Sequence, residues 1–214
     1  MKLYTYFRSS AAFRVRIALN LKGIAYDPAF INMKPPAAEQ RTPEFLAVNP
    51  QGLVPTLVHA GATIAQSLAI IEYLDEIHPQ PPLLPAAPVD RARVRAMALA
   101  VACDVHPLNN TRVLNYLRSS LAHEEDTVSQ WYHHWIETGF QALEEEAKRC
   151  SGDGQHMFGK SVTLADIYIV PQMYNARRFN CDLGAYPTLR AICAHLEALP
   201  AFAKAAPEAQ PDAA

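Results

Sequence analysis

The sequence predicts two domains of different class, an α/β module followed by an all-helical domain. A proline-rich stretch divides the 214-residue chain, because five of the ten residues at positions 79–88 are proline. Such a stretch forms neither a helix nor a central strand and is typical of a semi-rigid linker. Before it, strand-like and helix-like patterns alternate; after it, no convincing strand pattern occurs. We therefore expect domains at residues 1–80 and 90–214, joined by a linker at residues 81–89.

The first domain is expected to contain seven elements in the order β-α-β-α-β-β-α. They are a strand at 3–6, a helix stopped at 22–23, a strand at 26–31, a short helix starting at 42–44, a hairpin at 56–65 and a helix at 67–77. Pro28 places the second strand at a sheet edge, Thr42 is a typical helix cap, and Ser67 is expected to cap the last helix. This order is that of a thioredoxin-like module with a short mixed sheet.

The second domain is expected to be all-α. Its predicted helices are residues 90–121 (bent near Pro107), 127–148, 164–179 and 187–199. Residues 151–154, Ser-Gly-Asp-Gly, break the helical pattern between the second and third of these. Thr163 and Asp166 have the spacing of a capping box and mark a folding element rather than a catalytic one.

Composition argues against several classes of function. With 19 basic and 21 acidic residues the formal net charge is −2, and no basic run stands out, so we expect no nucleic-acid partner. The N terminus lacks an apolar signal core and the apolar run at 96–103 is too short to span a bilayer. The four scattered cysteines favour free thiols in a cytoplasmic protein over a structural disulfide, which stays open as an alternative.

Adjacent histidines His133 and His134 lie between two tryptophans. Neighbouring residues point to different faces of a helix, and neither histidine has a partner four residues away. We therefore expect no metal site.

Eight motifs lie along the chain, at residues 6–19, 49–50, 53–57, 66–74, 162–166, 170–172, 178–179 and 210–212. In this order and at these spacings they are specific together. They resemble the zeta-class glutathione transferases, which include maleylacetoacetate isomerase and bacterial maleylpyruvate isomerases. The resemblance spans essentially the whole chain. It implies the glutathione transferase fold, glutathione as coenzyme and a homodimer.

One position departs from the family pattern. The family signature usually carries a cysteine where this chain has Ala11. The similar bacterial maleylpyruvate isomerases also lack that cysteine. Ala11 could merely fill space, but we favour a thiol that comes entirely from glutathione. The segment at 104–110 also looks more like those bacterial enzymes.

The resemblance assigns glutathione-binding residues to this sequence. They are Ser9, Ser10, Ala11, Gln40, Val54, Pro55, Gln66, Ser67, His106 and Asn110. Ser9 and Ser10 begin the first helix, where a hydroxyl and the positive end of the helix favour a thiolate; simple helix capping is the alternative. By family position, Ser9 is the serine that faces the sulfur. Ser67 opens a helix whose N–H groups suit the glutathione α-carboxylate, and the family has a cis-proline at Pro55.

A substrate with two carboxylates needs positive charge, and arginine suits bidentate carboxylate binding. The candidates are Arg8, beside the thiol residues, and Arg112 and Arg178 in the helical domain. Arg178 is the strongest by family position, whereas its neighbour Arg177 is expected to point elsewhere. A solvated surface charge is the alternative for each.

These residues predict a glutathione-dependent cis–trans isomerase of a maleyl β-diketo acid, with Ser9, Ser10, Arg8 and Arg178 as catalytic residues. In this hypothesis the thiolate adds to the cis double bond, the bond rotates, and elimination leaves the trans isomer, with arginines stabilising the enolate. A glutathione-conjugating transferase and a non-catalytic interaction protein on this fold are the alternatives. A thiol-disulfide oxidoreductase is disfavoured because no cysteine begins the first helix.

Overall fold

The first domain is built on a four-stranded mixed sheet with the strand order β2-β1-β3-β4. A computed structural model describes residues 1–213 of the chain. The strands are β1 Lys2–Thr5, β2 Asp27–Phe30, β3 Thr56–His59 and β4 Ala62–Ala65. β1 runs parallel to β2 and antiparallel to β3. Pro28 therefore lies in an edge strand, as predicted. Proline has no N–H to donate, and no strand lies on the outer side of β2 to need one.

The hairpin between β3 and β4 turns through Ala60 and Gly61, whose φ angles are 50° and 77°. Two consecutive residues with positive φ form a tight turn that matches the twist of paired strands. The turn sets the register in which Leu57 pairs with Ile64, and Leu57 is fully buried. The predicted hairpin is confirmed.

Three helices complete the predicted order of this domain. They are α1 Ser10–Leu21, α2 Pro43–Val48 and α3 Ser67–Ile77. Thr42 caps α2 by accepting a hydrogen bond from the Phe45 amide. The prediction for α3 was wrong by one position: Gln66 is the cap residue and Ser67 is the first residue of the helix. Gln66 has a φ of 71°, and this backbone turn, which is not readable from side-chain pattern, moves the helix start.

The division of the chain differs from the prediction at both ends of the second domain. The first unit contains residues 1–82 and also the tail from residue 198 onward, whereas the second unit is 83–197. The tail contains α9 Pro200–Ala203, which packs against α1, and two short 3₁₀ turns. The expected linker is also shorter, because Pro88 begins a helix, a position that tolerates proline.

Polar contacts hold the tail in the first unit. The Arg16 side chain is 1% exposed, and its Nε donates to the Ala205 carbonyl at 3.0 Å. Asn20 Nδ2 donates to the Ala201 carbonyl at 2.9 Å. The sequence does not show that Arg16 and Asn20 donate to carbonyl groups of the tail. The tail was therefore assigned to the second domain, although it belongs to the first unit.

The second unit is helical, as predicted. Its helices are α4 Pro88–Leu99, α5 Thr111–Ser119, α6 Glu125–Cys150, α7 Leu164–Arg178 and α8 Pro187–Glu197. The predicted long helix at 90–121 is divided, because a π-helical segment, Ala100–Val105, follows α4 and a turn precedes α5. A Cβ at Gly139 of α6 would overlap the Val105 side chain, so α6 approaches the π-helical segment closely. None of the helices in residues 1–213 is long and apolar enough to cross a membrane.

Asp166 organises the start of α7. Its Oδ2 accepts from the Thr163 amide and hydroxyl, and its Oδ1 accepts from the Met157 amide at 2.7 Å. Burial raises the pKa of Asp166 to about 6, whereas the bonds from the Met157 and Thr163 groups act to lower it, because they favour the ionised carboxylate. Asp166 therefore caps the start of α7, as predicted, and also holds the preceding loop through the Met157 amide.

Replacing Asp166 with alanine is expected to lower the free energy of unfolding by about 2–4 kcal/mol, because two buried amides lose their acceptor. Chemical denaturation followed by circular dichroism measures this. Asp182→Ala is the control, since Asp182 is exposed and accepts only from the Gly184 amide, and it should cost less than about 1 kcal/mol. Equal losses in the two variants would contradict this role of Asp166.

Candidate functional site

The loop at residues 6–9 follows β1 and leads into α1, and its backbone is held from several sides. The Ser9 amide donates to the Tyr6 carbonyl at 3.0 Å, which closes a tight turn. Arg16 donates to the Tyr6 and Phe7 carbonyls at 3.3 and 2.9 Å. The Phe7 amide donates to Asp212 Oδ2 at 2.9 Å. The 6–9 loop is therefore positioned by buried α1 and by the C-terminal tail.

Ser9 is the cap residue of α1. Its Oγ accepts from the Ala12 amide at 3.2 Å, and the side chain is partly exposed. A hydroxyl that accepts from the helix keeps its own proton available for a second partner. Ser10 is only 5% exposed and is already helical. Of the two serines, Ser9 therefore has the better placed hydroxyl. It can cap α1 and still donate its own proton to a second partner.

The N terminus of α3 forms a second polar feature of the first domain. Gln66 precedes the helix in a left-handed conformation and makes no side-chain cap, a backbone state that costs about 1–3 kcal/mol outside glycine. Its Nε2 donates to Gln51 Oε1 at 3.2 Å. Buried Arg14 donates to Ser67 Oγ at 3.4 Å. The amides in the first turn of α3 have no side-chain cap, and the buried Arg14 guanidinium lies close to them. This arrangement suits the binding of an anion.

The remaining predicted residues of this domain lie in the loops before β3. The Val54–Pro55 peptide bond is cis, as the resemblance implied. Val54 is 7% exposed and packs with Ile31 and Phe45. Gln40 lies in a 3₁₀ turn, and its Oε1 is buried without a hydrogen-bond partner among residues 1–213. An acceptor left in this state favours a ligand N–H as its partner.

Two cations lie against the ring of Phe7. The Arg8 guanidinium is 4.9 Å from the ring centroid, and Lys34 Nζ is 5.2 Å from it. Arg8 is exposed and forms no ion pair with any carboxylate in the described part of the chain. Lys34 was not predicted from the sequence, because it lies 26 positions after Arg8 in a proline-rich loop that matches no motif.

In the second domain, Arg177 and Arg178 differ in their partners. Arg177 pairs with Glu197 at 2.6 Å. Arg178 lies over the Phe179 ring at 4.7 Å, and this ring stacks on Tyr132 with centroids 3.8 Å apart. No carboxylate of residues 1–213 pairs with Arg178. Of the two adjacent arginines, Arg178 is therefore the exposed one whose charge no carboxylate of the described residues neutralises.

His106, Asn110 and Arg112 lie close together in the chain around the start of α5. His106 ends the π-helical segment, where its amide donates to the Val101 carbonyl at 2.9 Å. Asn110 caps α5, with Oδ1 accepting from the Arg112 amide at 3.1 Å. Asn110 thus has a structural role, and only its Nδ2 remains for a ligand. Arg112 is exposed and has no ion-pair partner in the described residues.

The two adjacent histidines have separate partners. His133 Nε2 lies 2.8 Å from the Phe179 carbonyl, and His134 makes an edge contact with Trp135. Within residues 1–213 there is no group of three or more histidine, cysteine or acidic side chains that could hold a metal.

A thioredoxin-like domain with a serine at the start of α1, followed by an all-helical domain, is the arrangement of the glutathione transferases. The family model described as "Glutathione S-transferase, N-terminal domain" matches residues 8–77. This match covers the 6–9 loop from Arg8, the cis-proline and α3. The glutathione transferase fold expected from the sequence is confirmed.

Similar proteins define the family more narrowly. A probable maleylacetoacetate isomerase of Vibrio cholerae is 48% identical over 99% of this chain and 97% of its own. A maleylpyruvate isomerase of Ralstonia sp. is 46% identical over the full length of both. The chain therefore belongs to the zeta-class glutathione transferases, the family of the maleylacetoacetate and maleylpyruvate isomerases.

Solved structures agree with this assignment. A holo maleyl pyruvate isomerase, described as a bacterial glutathione-S-transferase of the zeta class, superposes with a TM-score of 0.96 at 46% identity, with complete coverage of both chains. A maleylacetoacetate isomerase of Methylobacterium extorquens AM1, with bound malonate and glutathione, has a TM-score of 0.94 at 41% identity, again with complete coverage of both.

Proposed function

We propose that this chain is a glutathione-dependent cis–trans isomerase that converts a maleyl β-diketo acid, maleylacetoacetate or maleylpyruvate, to its fumaryl isomer. The observation that carries the proposal is the Ser9 hydroxyl, held by the Ala12 amide at the start of α1, where Ala11 replaces the family cysteine. The related isomerases support the reaction, and the relative with bound malonate and glutathione supports the ligand classes.

The residues of the first domain fit glutathione. The start of α3, with Gln66, Ser67 and the Arg14 guanidinium at 3.4 Å from Ser67 Oγ, suits the γ-glutamyl carboxylate. The unpartnered Gln40 Oε1 suits a peptide N–H, and the backbone of Val54, before cis-Pro55, is proposed to bind the peptide part. Bound glutathione would supply a thiol that adds reversibly to the cis double bond and is regenerated.

Ser9 would keep that thiol ionised. A free thiol has a pKa of about 8.5, so only a few per cent is thiolate at neutral pH. A donated hydroxyl proton and the positive end of α1 both favour the charged form. Lowering the pKa by about two units requires about 2.7 kcal/mol of differential stabilisation. Ser10, buried in α1, would act mainly through its backbone.

The unpaired arginines would bind the acid. Arg8, adjacent to Ser9 in the chain, is proposed to stabilise negative charge that develops on the enolate oxygen. Arg178 and Arg112 are proposed to bind carboxylate groups, since neither is neutralised within the described residues. This use of positive charge separates an isomerase of dicarboxylic acids from a transferase that conjugates neutral electrophiles. His106 and the Asn110 Nδ2 are proposed as further glutathione contacts.

Two wider expectations are also part of the proposal. We expect a homodimer, as the family resemblance implies, and a cytoplasmic location, for which the four unpaired cysteines Cys103, Cys150, Cys181 and Cys193 are suited. We propose no nucleic-acid or membrane partner.

The activity itself is tested by following the absorbance of maleylpyruvate and of maleylacetoacetate, each with and without glutathione. The purified chain should isomerise at least one acid, and only when glutathione is present, because the chain has no cysteine at residue 11. The better substrate identifies the physiological class. A folded protein that isomerises neither acid, or conjugates a chlorinated arene much faster, would refute the proposal.

Arg178→Ala is expected to raise the KM for the acid by about tenfold or more, because a charge-assisted contact worth about 1.5–3 kcal/mol is lost. Arg177→Ala is the matched control: the same residue type, one position away, but paired with Glu197. Steady-state kinetics at saturating glutathione measures both. If the two variants behave alike, Arg178 does not bind the acid.

A further inference from the structure

We propose that Asp212, in the C-terminal tail, is a positioning residue for catalysis, which fixes the 6–9 loop and thereby the placement of Arg8 and Ser9. The proposal rests on the proposed function, in which these two residues act on substrate and thiol. None of the motif positions assigned a ligand lies in the tail.

The contact is direct and joins residues 205 positions apart. The Phe7 amide donates to Asp212 Oδ2 at 2.9 Å, so the carboxylate binds the backbone immediately before Arg8. The Phe7 side chain is 6% exposed, and the Arg8 guanidinium lies against its ring. The direction of Arg8 therefore depends on how the Phe7 peptide is held.

Asp212 completes the set of bonds to this loop. Arg16 holds the carbonyls of Tyr6 and Phe7, and the Ser9 amide closes the turn. The Phe7 amide would otherwise need another acceptor, because buried amides are costly to leave unpaired. Asp212 in the tail supplies this acceptor, and Arg16 donates to the Phe7 carbonyl, so the amide and the carbonyl of Phe7 both have a partner.

The Asp212 carboxylate also interacts electrostatically with the buried Arg16 guanidinium. Burial lowers the pKa of Arg16 to about 10, whereas the neighbouring Tyr26 and the Asp212 carboxylate act to raise it. Asp212 thus offsets part of the cost of burying the guanidinium. Its Oδ1 is buried and has no hydrogen-bond partner among the described residues.

The tail is itself anchored independently of Asp212. Arg16 Nε donates to the Ala205 carbonyl at 3.0 Å and Asn20 Nδ2 to the Ala201 carbonyl at 2.9 Å. Within the tail, Gln210 Nε2 donates to the carbonyls of Lys204 and Ala206. A substitution at Asp212 should therefore release the loop while leaving the tail docked and the fold intact.

The test compares Asp212→Ala and Asp212→Asn with the wild-type chain. The alanine variant removes the acceptor, whereas asparagine keeps an oxygen that can accept from the Phe7 amide. We expect kcat/KM for the acid to fall roughly ten- to hundredfold in Asp212→Ala, since a displacement of about 1 Å has effects of this size. Asparagine should restore most of it. Calorimetry should give a Kd for glutathione within about threefold of wild type in both variants, because the start of α3 is untouched.

A readout independent of activity is amide hydrogen exchange of the peptide that contains Phe7. Exchange should accelerate in Asp212→Ala and stay near wild type in Asp212→Asn. Asp182→Ala serves as the control for loss of an acidic side chain elsewhere, with wild-type kinetics and wild-type exchange in this peptide.

The outcomes are distinguishable. Wild-type kinetics in a folded Asp212→Ala variant would overturn the inference, as would equal losses in the alanine and asparagine variants. If the wild-type chain is inactive on both acids, the proposed function fails, and the exchange experiment still decides whether Asp212 fixes the loop.

Discussion

The buried guanidinium of Arg16 connects segments of the first domain that are far apart in the sequence. From α1 it donates to Thr5 at the end of β1, to the Tyr6 and Phe7 carbonyls and to Ala205 in the tail. Burying a charge costs several kcal/mol unless its hydrogen bonds are made, so these acceptors must stay in place together. These bonds fix the start of α1 relative to β1. The backbone that carries the Ser9 hydroxyl is therefore held in place.

The elements of the first domain could be predicted because local signals determine them. Pro28 at the edge strand, the Thr42 cap and the turn at Gly61 each act within a few residues. The tail, the start of the second domain and the division of the long helix could not be predicted in this way. They depend on contacts between distant residues, such as Arg16 with Ala205 and Gly139 with Val105, and no local pattern reports these.

The residues proposed for the candidate site came from family motifs, whereas the contacts that hold these residues in place could not be predicted from the sequence. Family motifs assigned Ser9, Gln66 and Arg178, and the geometry gives each a physical reason: a cap that can still donate, a left-handed helix start, an unpaired guanidinium. Arg14 and Arg16 were read only as part of the signature. Two arginines within the otherwise apolar run of α1 were the available signal that buried polar contacts exist there. Asp212 was likewise read only as part of the 210–212 motif, with no role assigned to it, and Lys34 carried no comparable signal.

In the proposed function, this chain lowers the pKa of the glutathione thiol, which it does not itself carry, through Ser9. The most direct test is the pKa of the glutathione thiol in the complex, from the ultraviolet absorbance of the thiolate as a function of pH. In the wild-type complex it should lie about two units below the free value of about 8.5. It should return toward that value in Ser9→Ala and stay low in Ser9→Thr. A bound thiol that titrates like the free one, or is unaffected by Ser9→Ala, would contradict the account.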